Sequence, residues 1–183
     1  MKLAATLALG LAVVTCSAAF AETCADLRDE QPGGMAKVCV SSVLPPRDGA
    51  TFGHEQLVGA SDGHAWCTEA AKDGVGQTVT VRWPNAAEPT GLQVVNGRTK
   101  DNAIDRSFGR LRAIRIEASN GLRRDVTLRD AAGLQDVTLR AAGPAQWIKV
   151  TVLSVYRGSK VRAACLDYML VDFLGPGIAP RRR

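Results

Sequence analysis

Five side chains that can donate hydrogen bonds occur close together in the middle of the sequence. Two are amides and three are cations: Asn96, Arg98, Lys100, Asn102 and Arg106. Such groups bind sugar hydroxyls, uronates, sulfates or phosphates, and the cations do so through charge-assisted hydrogen bonds. The same composition is typical of a solvated loop between two strands, so residue type alone leaves both interpretations open. We take all five as candidate ligand contacts.

Two histidines precede this group and flank the pair Asp62-Gly63. They are His54 and His64, the only histidines in the chain. A neutral imidazole accepts one hydrogen bond and a protonated one donates two, so either ring could contact a ligand. An ordinary loop position is the alternative for both. We add the two histidines to the candidate ligand contacts.

Three motifs of enzyme chemistry are matched only in part. Residues 59–63 have the G-x-S-x-G spacing of a serine hydrolase, but that motif needs a strand before Ser61 and a helix after it. The histidines lack the H-E-x-x-H spacing of a zinc hydrolase, and Gly74-Val75-Gly76 lacks the lysine and hydroxyl residue that end a phosphate loop. We therefore predict that the protein is not an enzyme, with a hydrolase using Ser61 as the least favoured alternative.

The candidate residues stand between segments in which apolar and polar residues alternate, as they do in half-buried strands. In residues 78–83, for example, Val79, Val81 and Trp83 share one face. Turn residues separate these segments and no convincing run at helical spacing occurs, which favours an all-β sandwich or jelly roll. The predicted strands cover residues 38–43, 78–83, 91–95, 111–117, 123–128, 135–139, 147–155 and 168–173.

The first residues have the layout of an export signal. Lys2 precedes an apolar run over residues 3–14, and small residues stand at the first and third positions of Ala19-Phe20-Ala21. We predict a signal peptide over 1–21, an irregular N-terminal arm over 22–37 and a basic solvated tail over 175–183. A lipid anchor at Cys16 is the alternative. The apolar run is too short to span a membrane, so the mature chain is expected to be periplasmic or secreted, without a transmembrane segment.

The number of cysteines predicts disulfides in an exported protein, and the net charge bears on its partners. Once Cys16 leaves with the signal peptide, an even set remains, which predicts two disulfides with three possible pairings among Cys24, Cys39, Cys67 and Cys165. The formal charge of +5 is mild, and no basic stripe interleaved with aromatic residues occurs. Nucleic acid is therefore not a predicted partner.

A series of short motifs carries a family resemblance. In chain order they are Ser41-Ser42, Leu57, Asp62-Gly63, Ala65-Trp66-Cys67, Gly74-Val75-Gly76-Gln77, the run 96–100, Gly109-Arg110-Leu111-Arg112, Leu128-Arg129-Asp130, Gln135, Tyr156-Arg157-Gly158 and Cys165-Leu166. Together they resemble the NADase-type glycan-binding domain, a discoidin-like (F5/8 type C, galactose-binding-like) β-sandwich. The resemblance covers residues 38–174. It implies an eight-stranded antiparallel jelly roll with a non-catalytic binding role, whose ligand surface is made of loops at one end.

The resemblance also bears on metal and disulfides. The family commonly has Ser-Glu-Ile at the entry to the last strand, where the glutamate can help to hold a structural calcium, whereas this chain has Asp167-Tyr168-Met169. We therefore predict no cofactor, and calcium only if Asp167 substitutes for the missing ligand. A second departure is Arg98, which stands where the family usually has an aromatic residue. The discoidin-like topology implies the bridges Cys67–Cys165 and Cys24–Cys39, with Cys39–Cys165 as the alternative.

Two functions fit these features. The first is an exported carbohydrate-binding module that recognises a glycan or envelope polysaccharide through His54, His64 and the donors of residues 96–106. The second is an extracytoplasmic scaffold whose loops dock a protein partner, a role that the small number of aromatic residues favours.

Overall fold

The computed structural model describes residues 22–31, 34–58, 64–101, 103–140 and 143–173. These residues form twelve strands and two short 3-10 turns, the turns at His54–Val58 and Ala71–Gly74. The strands are β1 (Thr23–Gln31), β2 (Gly34–Val40), β3 (Trp66–Cys67), β4 (Thr78–Ala87), β5 (Pro89–Asn96), β6 (Thr99–Lys100), β7 (Ala103–Ile104), β8 (Gly109–Ala118), β9 (Arg123–Thr127), β10 (Leu134–Thr138), β11 (Ala145–Tyr156) and β12 (Ala164–Phe173). In this part of the chain, no helix has the length and apolar character needed to cross a membrane.

The main strands belong to one curled sheet with two halves. One half has the order β1-β2-β4-β11-β8-β9, and the other has β12-β5-β10 with β3 beside β12. The halves are joined by a short parallel pairing in which Ala164 and Cys165 of β12 lie opposite Gly109 and Arg110 of β8. The other neighbouring strands pair antiparallel. β6 and β7 form a separate small hairpin.

The hydrophobic core lies between the two halves. Ile114 and Ile116 of β8 are buried with Ile148 and Val150 of β11, on the side that faces the second half. The second half contributes alternating residues of β5 and β12 to the same core, Leu92, Val94, Met169 and Val171. Alternation with a period of two places one set of side chains in the core and leaves the other outside, which is the pattern that the sequence predicts for these strands.

All eight predicted strands overlap strands of the structure, namely β2, β4, β5, β8, β9, β10, β11 and β12. Two tryptophans also pack in the interior. Trp66 and Trp83 are buried, and their indole N–H groups donate to the carbonyls of Ser42 at 2.9 Å and Ala145 at 2.7 Å. The all-β prediction is therefore confirmed strand by strand.

The N-terminal segment corrects one expectation. Residues 22–37 are predicted to be an irregular arm, but residues 23–31 form β1 and residues 34–37 the first part of β2, two antiparallel strands of which β2 pairs with β4. Among residues 22–27 and 34–37, Leu27 and Ala36 are buried and the others are partly or fully exposed. At a sheet edge, so few apolar residues are enough because only one face is covered, and the segment therefore looks polar in the sequence.

Both implied disulfides are present. Cys24 pairs with Cys39 and Cys67 with Cys165, so the alternative Cys39–Cys165 bridge does not form. Each bridge joins residues that lie directly opposite each other in an antiparallel pair, β1 with β2 and β3 with β12. The second bridge thus fixes the long segment between β2 and β4 to the last strand.

Candidate functional site

Four long connections meet at one end of the sandwich, which we call the loop end. They are residues 41–77, 97–108, 128–133 and 157–163. The strand register brings them together, because Tyr156 at the end of β11 lies opposite Arg110 near the start of β8, and Leu134 at the start of β10 lies opposite Val95 near the end of β5. Asn96, at the end of β5, and Arg98, Lys100 and Arg106, on connection 97–108, lie at this end, and His54 and His64 lie on connection 41–77, whereas Asn102 and Ser61 fall outside the described residues.

Asn96 has a structural role that its residue type does not reveal. Its side chain is fully buried and spans from β5 to β8. The amide nitrogen donates to the carbonyls of Leu111 at 2.7 Å and Arg129 at 3.2 Å, and the amide oxygen accepts from the backbone N–H of Leu111 at 2.9 Å. Because both ends of the amide are engaged and buried, we do not carry Asn96 forward as a ligand contact.

Arg98 is held by an acidic partner on its own connection. Its Nη1 donates to Oδ2 of Asp105 at 2.8 Å, and its guanidinium lies 5.2 Å from the ring centroid of Phe108. Oδ1 of Asp105 accepts from the backbone N–H of Ser107 at 3.0 Å and from the Ser107 hydroxyl at 2.5 Å. Burial raises the pKa of Asp105, but the Ser107 and Arg98 hydrogen bonds outweigh it, so the net pKa is lowered. Arg98 therefore stabilises the conformation of connection 97–108, and its side chain is only partly accessible to a ligand.

Asp130 joins three of the loop-end connections. Its carboxylate receives Arg110 in a two-point contact, Nε to Oδ1 at 2.8 Å and Nη2 to Oδ2 at 3.0 Å, and Nη1 of Arg106 at 3.0 Å. The Arg110 side chain is only 5% exposed. Its Nη1 also donates to the carbonyl of Phe108 at 3.0 Å and lies 3.4 Å from the carbonyl oxygen of Arg157. The Arg110 hydrogen bonds are the main cause of the lowered pKa of Asp130. Connections 97–108, 128–133 and 157–163 are thereby fixed to one another.

The remaining predicted residues differ in accessibility. Arg106 is 63% exposed and Lys100 and His64 are exposed, so all three can reach a ligand. The His54 ring is mostly buried, with Nδ1 3.6 Å from Oε2 of Glu55. Within the described residues this nitrogen has no hydrogen bond. Among the predicted residues that the structure describes, Arg106, Lys100 and His64 are thus the ones most open to solvent.

A cavity of about 250 Å³ opens at the loop end beside connection 157–163. Aliphatic and glycine residues line its interior: Gly109, Val155, Gly158, Val161 and Ala163. Its polar rim is Asp73, Arg157 and Arg162. The carboxylate of Asp73 accepts Nε and Nη2 of Arg162 at 2.6 and 3.3 Å, and Nε of Arg157 lies 3.2 Å away.

No local pattern in the sequence marks this rim as a site. Asp73 and Arg162 are 89 residues apart, so their pairing has no local signal. Arg157, Lys160 and Arg162 do follow one another closely between two predicted strands. A run of cations between strands is, however, equally typical of a solvated loop.

The acidic residues of the loop end predict a loss of stability in acid. The pKa of Asp130 lies below its usual value of 3.8, so its pairing stabilises the fold above that pH and the stabilisation is lost as pH falls through the folded pKa. The lowered pKa values of Asp73 and Asp105 act in the same direction. We expect the unfolding temperature, followed by circular dichroism from pH 7 to pH 2, to fall mainly below about pH 4.

The Asp130→Asn variant tests this assignment. It should unfold at a lower temperature than the parent at pH 7, and the difference between the two should shrink as pH falls, because the parent loses the same interaction by protonation. A difference that stays constant from pH 7 to pH 2 would contradict a stabilising role for the ionised Asp130.

Candidate metal ligands are sparse in the described residues. Asp167, the residue considered for calcium, is buried and accepts a hydrogen bond from the Thr99 hydroxyl. Within the ranges that the structure describes, one group of three potential ligands lies close together, Glu22 with Cys24 and Cys39, and those two cysteines form a disulfide. The Asp62-Gly63 pair lies outside the described residues.

Comparison with known proteins identifies the fold. The family described as NAD glycohydrolase translocation F5/8 type C domain matches residues 29–172. No curated protein sequence matches the chain significantly. Among solved structures, CpGH89CBM32-5 from Clostridium perfringens in complex with GalNAc-β-1,3-galactose is similar with a TM-score of 0.54 and 13% identity, over 74% of this chain and 94% of that one.

Two further structures are similar to the chain. The family 32 CBM of C. perfringens NanJ in complex with galactose has a TM-score of 0.52 and 18% identity, over 74% of this chain and 92% of that one. The mycobacterial arabinofuranosyltransferase AftD has a TM-score of 0.58 and 15% identity over 81% of this chain, which spans only 10% of AftD. At these identities the likeness establishes the fold, and it confirms the predicted galactose-binding-like β-sandwich.

Proposed function

Because the chain belongs to the NAD glycohydrolase translocation F5/8 type C domain family, we propose that it is an exported, non-catalytic carbohydrate-binding domain that recognises a glycan at its loop end. The family resemblance predicted from the sequence is confirmed by the same match. Two disulfides support export, since disulfides persist mainly in oxidising compartments.

The observation that carries the proposal is the convergence of polar donors at one end of the sandwich. Arg106 and Lys100 are exposed on connection 97–108, which the Arg106–Asp130 ion pair and the buried Asn96 hydrogen bonds hold in place, and His64 is exposed on connection 41–77. A rigid support with a few exposed donors suits sugar hydroxyls, because little ordering remains to be done when the ligand binds. Arg106, Lys100 and His64 are therefore the proposed contacts, with Arg98, His54 and Asn102 as further members.

Recognition at this end would depend on hydrogen bonds more than on aromatic stacking. In the part of the chain that the structure describes, the large hydrophobic side chains exposed to solvent are Met35, Val75 and Leu134, and none is aromatic. Sugar rings are often bound against an aromatic face, so the absence of an exposed one here also favours the second candidate function, a scaffold whose loops dock a protein.

A glycan array probed with the purified protein tests the proposal. We expect saturable binding to at least one glycan class, and we expect Arg106→Gln to weaken it about tenfold, because a hydrogen bond from a charged donor contributes about 1.5 kcal/mol. The unfolding temperature should change little, since Arg106 is largely exposed. Titration calorimetry with the best glycan provides the affinities.

Arg123→Gln is the matched control. Its side chain has the same 63% exposure and one ion pair, with Glu117, but it lies on β9 beside the 119–122 turn at the opposite end of the sandwich. It should bind glycan as the parent does.

If the protein bound no glycan on the array but bound a purified protein partner through the loop end, the scaffold would replace the glycan proposal. A hydrolase activity that Ser61→Ala abolishes would contradict a non-catalytic role.

A further inference from the structure

We propose that the cavity edged by Asp73, Arg157 and Arg162 is a subsite for an acidic sugar, whose carboxylate or sulfate group is bound by the two guanidiniums. The inference rests on the proposed glycan-binding function and adds to it a ligand class and a place on the loop end. The residues of this rim differ from the candidate ligand contacts predicted from the sequence.

The charge balance of the rim favours an anion. One carboxylate, Asp73, faces two guanidiniums, so the three groups together carry one net positive charge. Three guanidinium nitrogens contact the Asp73 carboxylate, Nε and Nη2 of Arg162 and Nε of Arg157. Each guanidinium has five N–H donors in a planar fork, so donors remain on both. The side chains of Arg157 and Arg162 are 78% and 74% exposed, which leaves these donors open to a ligand.

Asp73 positions the two cations and stays ionised while it does so. Its side chain is largely buried, and the hydrogen bonds from Arg162 are the main cause of its lowered pKa. An arginine that is already held in place loses less conformational freedom when it binds a ligand than a free surface arginine does. Asp73 thus orients the forks of Arg157 and Arg162 around the mouth of the cavity.

The wall of the cavity is fixed by backbone contacts. The N–H groups of Lys160 and Val161 donate to the carbonyl of Ser107 at 3.0 and 2.9 Å, and the N–H of Ser159 donates to that of Arg106 at 3.0 Å. A Cβ at Gly158 would lie 2.4 Å from the carbonyl carbon of Phe108, so this close approach requires glycine. The cavity is therefore formed before any ligand arrives.

The size and lining of the cavity suit one sugar ring. A volume of about 250 Å³ lies just below the range of about 300–1,000 Å³ for sites that hold drug-sized molecules. Val155, Val161 and Ala163 offer aliphatic surface to the C–H face of a ring, while the rim offers the charged donors. Because the backbone N–H of Ser159 in connection 157–163 donates to the carbonyl of Arg106, the subsite adjoins the proposed glycan contacts. A longer glycan could occupy both.

Matched pairs of glycans test the inference directly. The probes are hexuronate oligosaccharides with their carboxyl-reduced counterparts, and dextran sulfate oligosaccharides with unsulfated dextran. The parent protein should bind one acidic member at least tenfold more tightly than its neutral counterpart, and the preference should decrease as sodium chloride is raised. The uronate and sulfate arms identify which acidic group the subsite takes.

The variant Arg157→Gln/Arg162→Gln should remove that preference, lowering affinity for the acidic glycan by one to two orders of magnitude. Arg115→Gln is the control, because Arg115 holds Asp125 in the same two-point geometry, at 2.8 and 2.9 Å, but on β8 about 20 Å along the strand from Gly109. It should bind as the parent does. If the double variant is unstable, Arg157→Gln alone keeps the Arg162–Asp73 contact and should lose about tenfold.

The two proposals fail in different ways. If the parent binds glycans but shows no preference for the acidic member, or if the double variant keeps that preference, this inference is overturned and the glycan-binding function stands. If the parent binds no glycan of either kind, the proposed function fails and the subsite fails with it.

Discussion

Replacing Arg110 by methionine is expected to lower the free energy of unfolding by about 3 kcal/mol, because it removes the buried partner of Asp130 in a partly buried ion pair. The Arg110 side chain is only 5% exposed and makes the two-point contact with Asp130. Its third nitrogen donates to the carbonyl of Phe108. Arg106 still contacts Asp130 from the solvent side, which keeps the expected loss at the lower end of the usual range of about 3–5 kcal/mol.

Arg115→Met provides the comparison on the same strand. Arg115 contacts Asp125 through the same two nitrogens at similar distances, but the two side chains are 30% and 51% exposed. An exposed pair contributes about 0–1 kcal/mol, so the two variants differ mainly in burial. Urea unfolding followed by circular dichroism measures both. A loss at Arg110 that is no larger than the loss at Arg115 would refute the assignment of Arg110 as the residue that holds the loop end together.

Arg110→Met should also disturb connections that are distant from Arg110 in sequence. Arg110 contacts Asp130 in connection 128–133, Phe108 in 97–108 and Arg157 in 157–163. We therefore expect the backbone amide signals of all three connections to shift or broaden in Arg110→Met, while those of the 119–122 turn stay unchanged. Heteronuclear NMR of the two arginine variants measures this, and shifts confined to β8 would contradict it.

The strands were predictable because burial in this fold follows a local rule. A strand with one face in the core must alternate, so residues such as Ile114 and Ile116 in β8, or Ile148 and Val150 in β11, mark their strands without any knowledge of neighbours. The pair of β1 and β2 has no such signal, since it lies at a sheet edge and, among residues 23–27 of β1, buries Leu27 alone. Its position comes from pairing with β4, which is a non-local interaction.

The candidate site was predictable in its location but not in the use of its residues. The family resemblance implies loops at one end, and the described donors Asn96, Arg98, Lys100 and Arg106 do lie there. The sequence does not reveal which of these donors already form hydrogen bonds within the protein. The Asn96 amide donates to the carbonyls of Leu111 and Arg129. Arg106 contacts Asp130, which is 24 residues away in the sequence. Such partners become visible only once strand register brings distant connections together.

The largest effect on stability is expected from the bridge between β3 and β12. A disulfide stabilises mainly by restricting the unfolded chain, and the restriction grows with the length of chain that it closes. Cys67–Cys165 spans 98 residues and Cys24–Cys39 spans 15. We expect Cys67→Ala/Cys165→Ala to lose about 4–5 kcal/mol of unfolding free energy and Cys24→Ala/Cys39→Ala about 3 kcal/mol.

The second variant is the comparison, since each bridge joins directly opposed residues of an antiparallel pair and each variant removes two sulfurs. Denaturant unfolding of both variants measures the order of the losses. Thiol reagents give an independent readout: Cys24 is exposed whereas Cys67 and Cys165 are fully buried, so dithiothreitol should open the N-terminal bridge first. If removing the N-terminal bridge cost as much stability as removing the other, loop length would not be the cause. The native contacts around each bridge would then decide its contribution, among them the 3.1 Å hydrogen bond from the Ala164 N–H to the Thr68 hydroxyl beside Cys67.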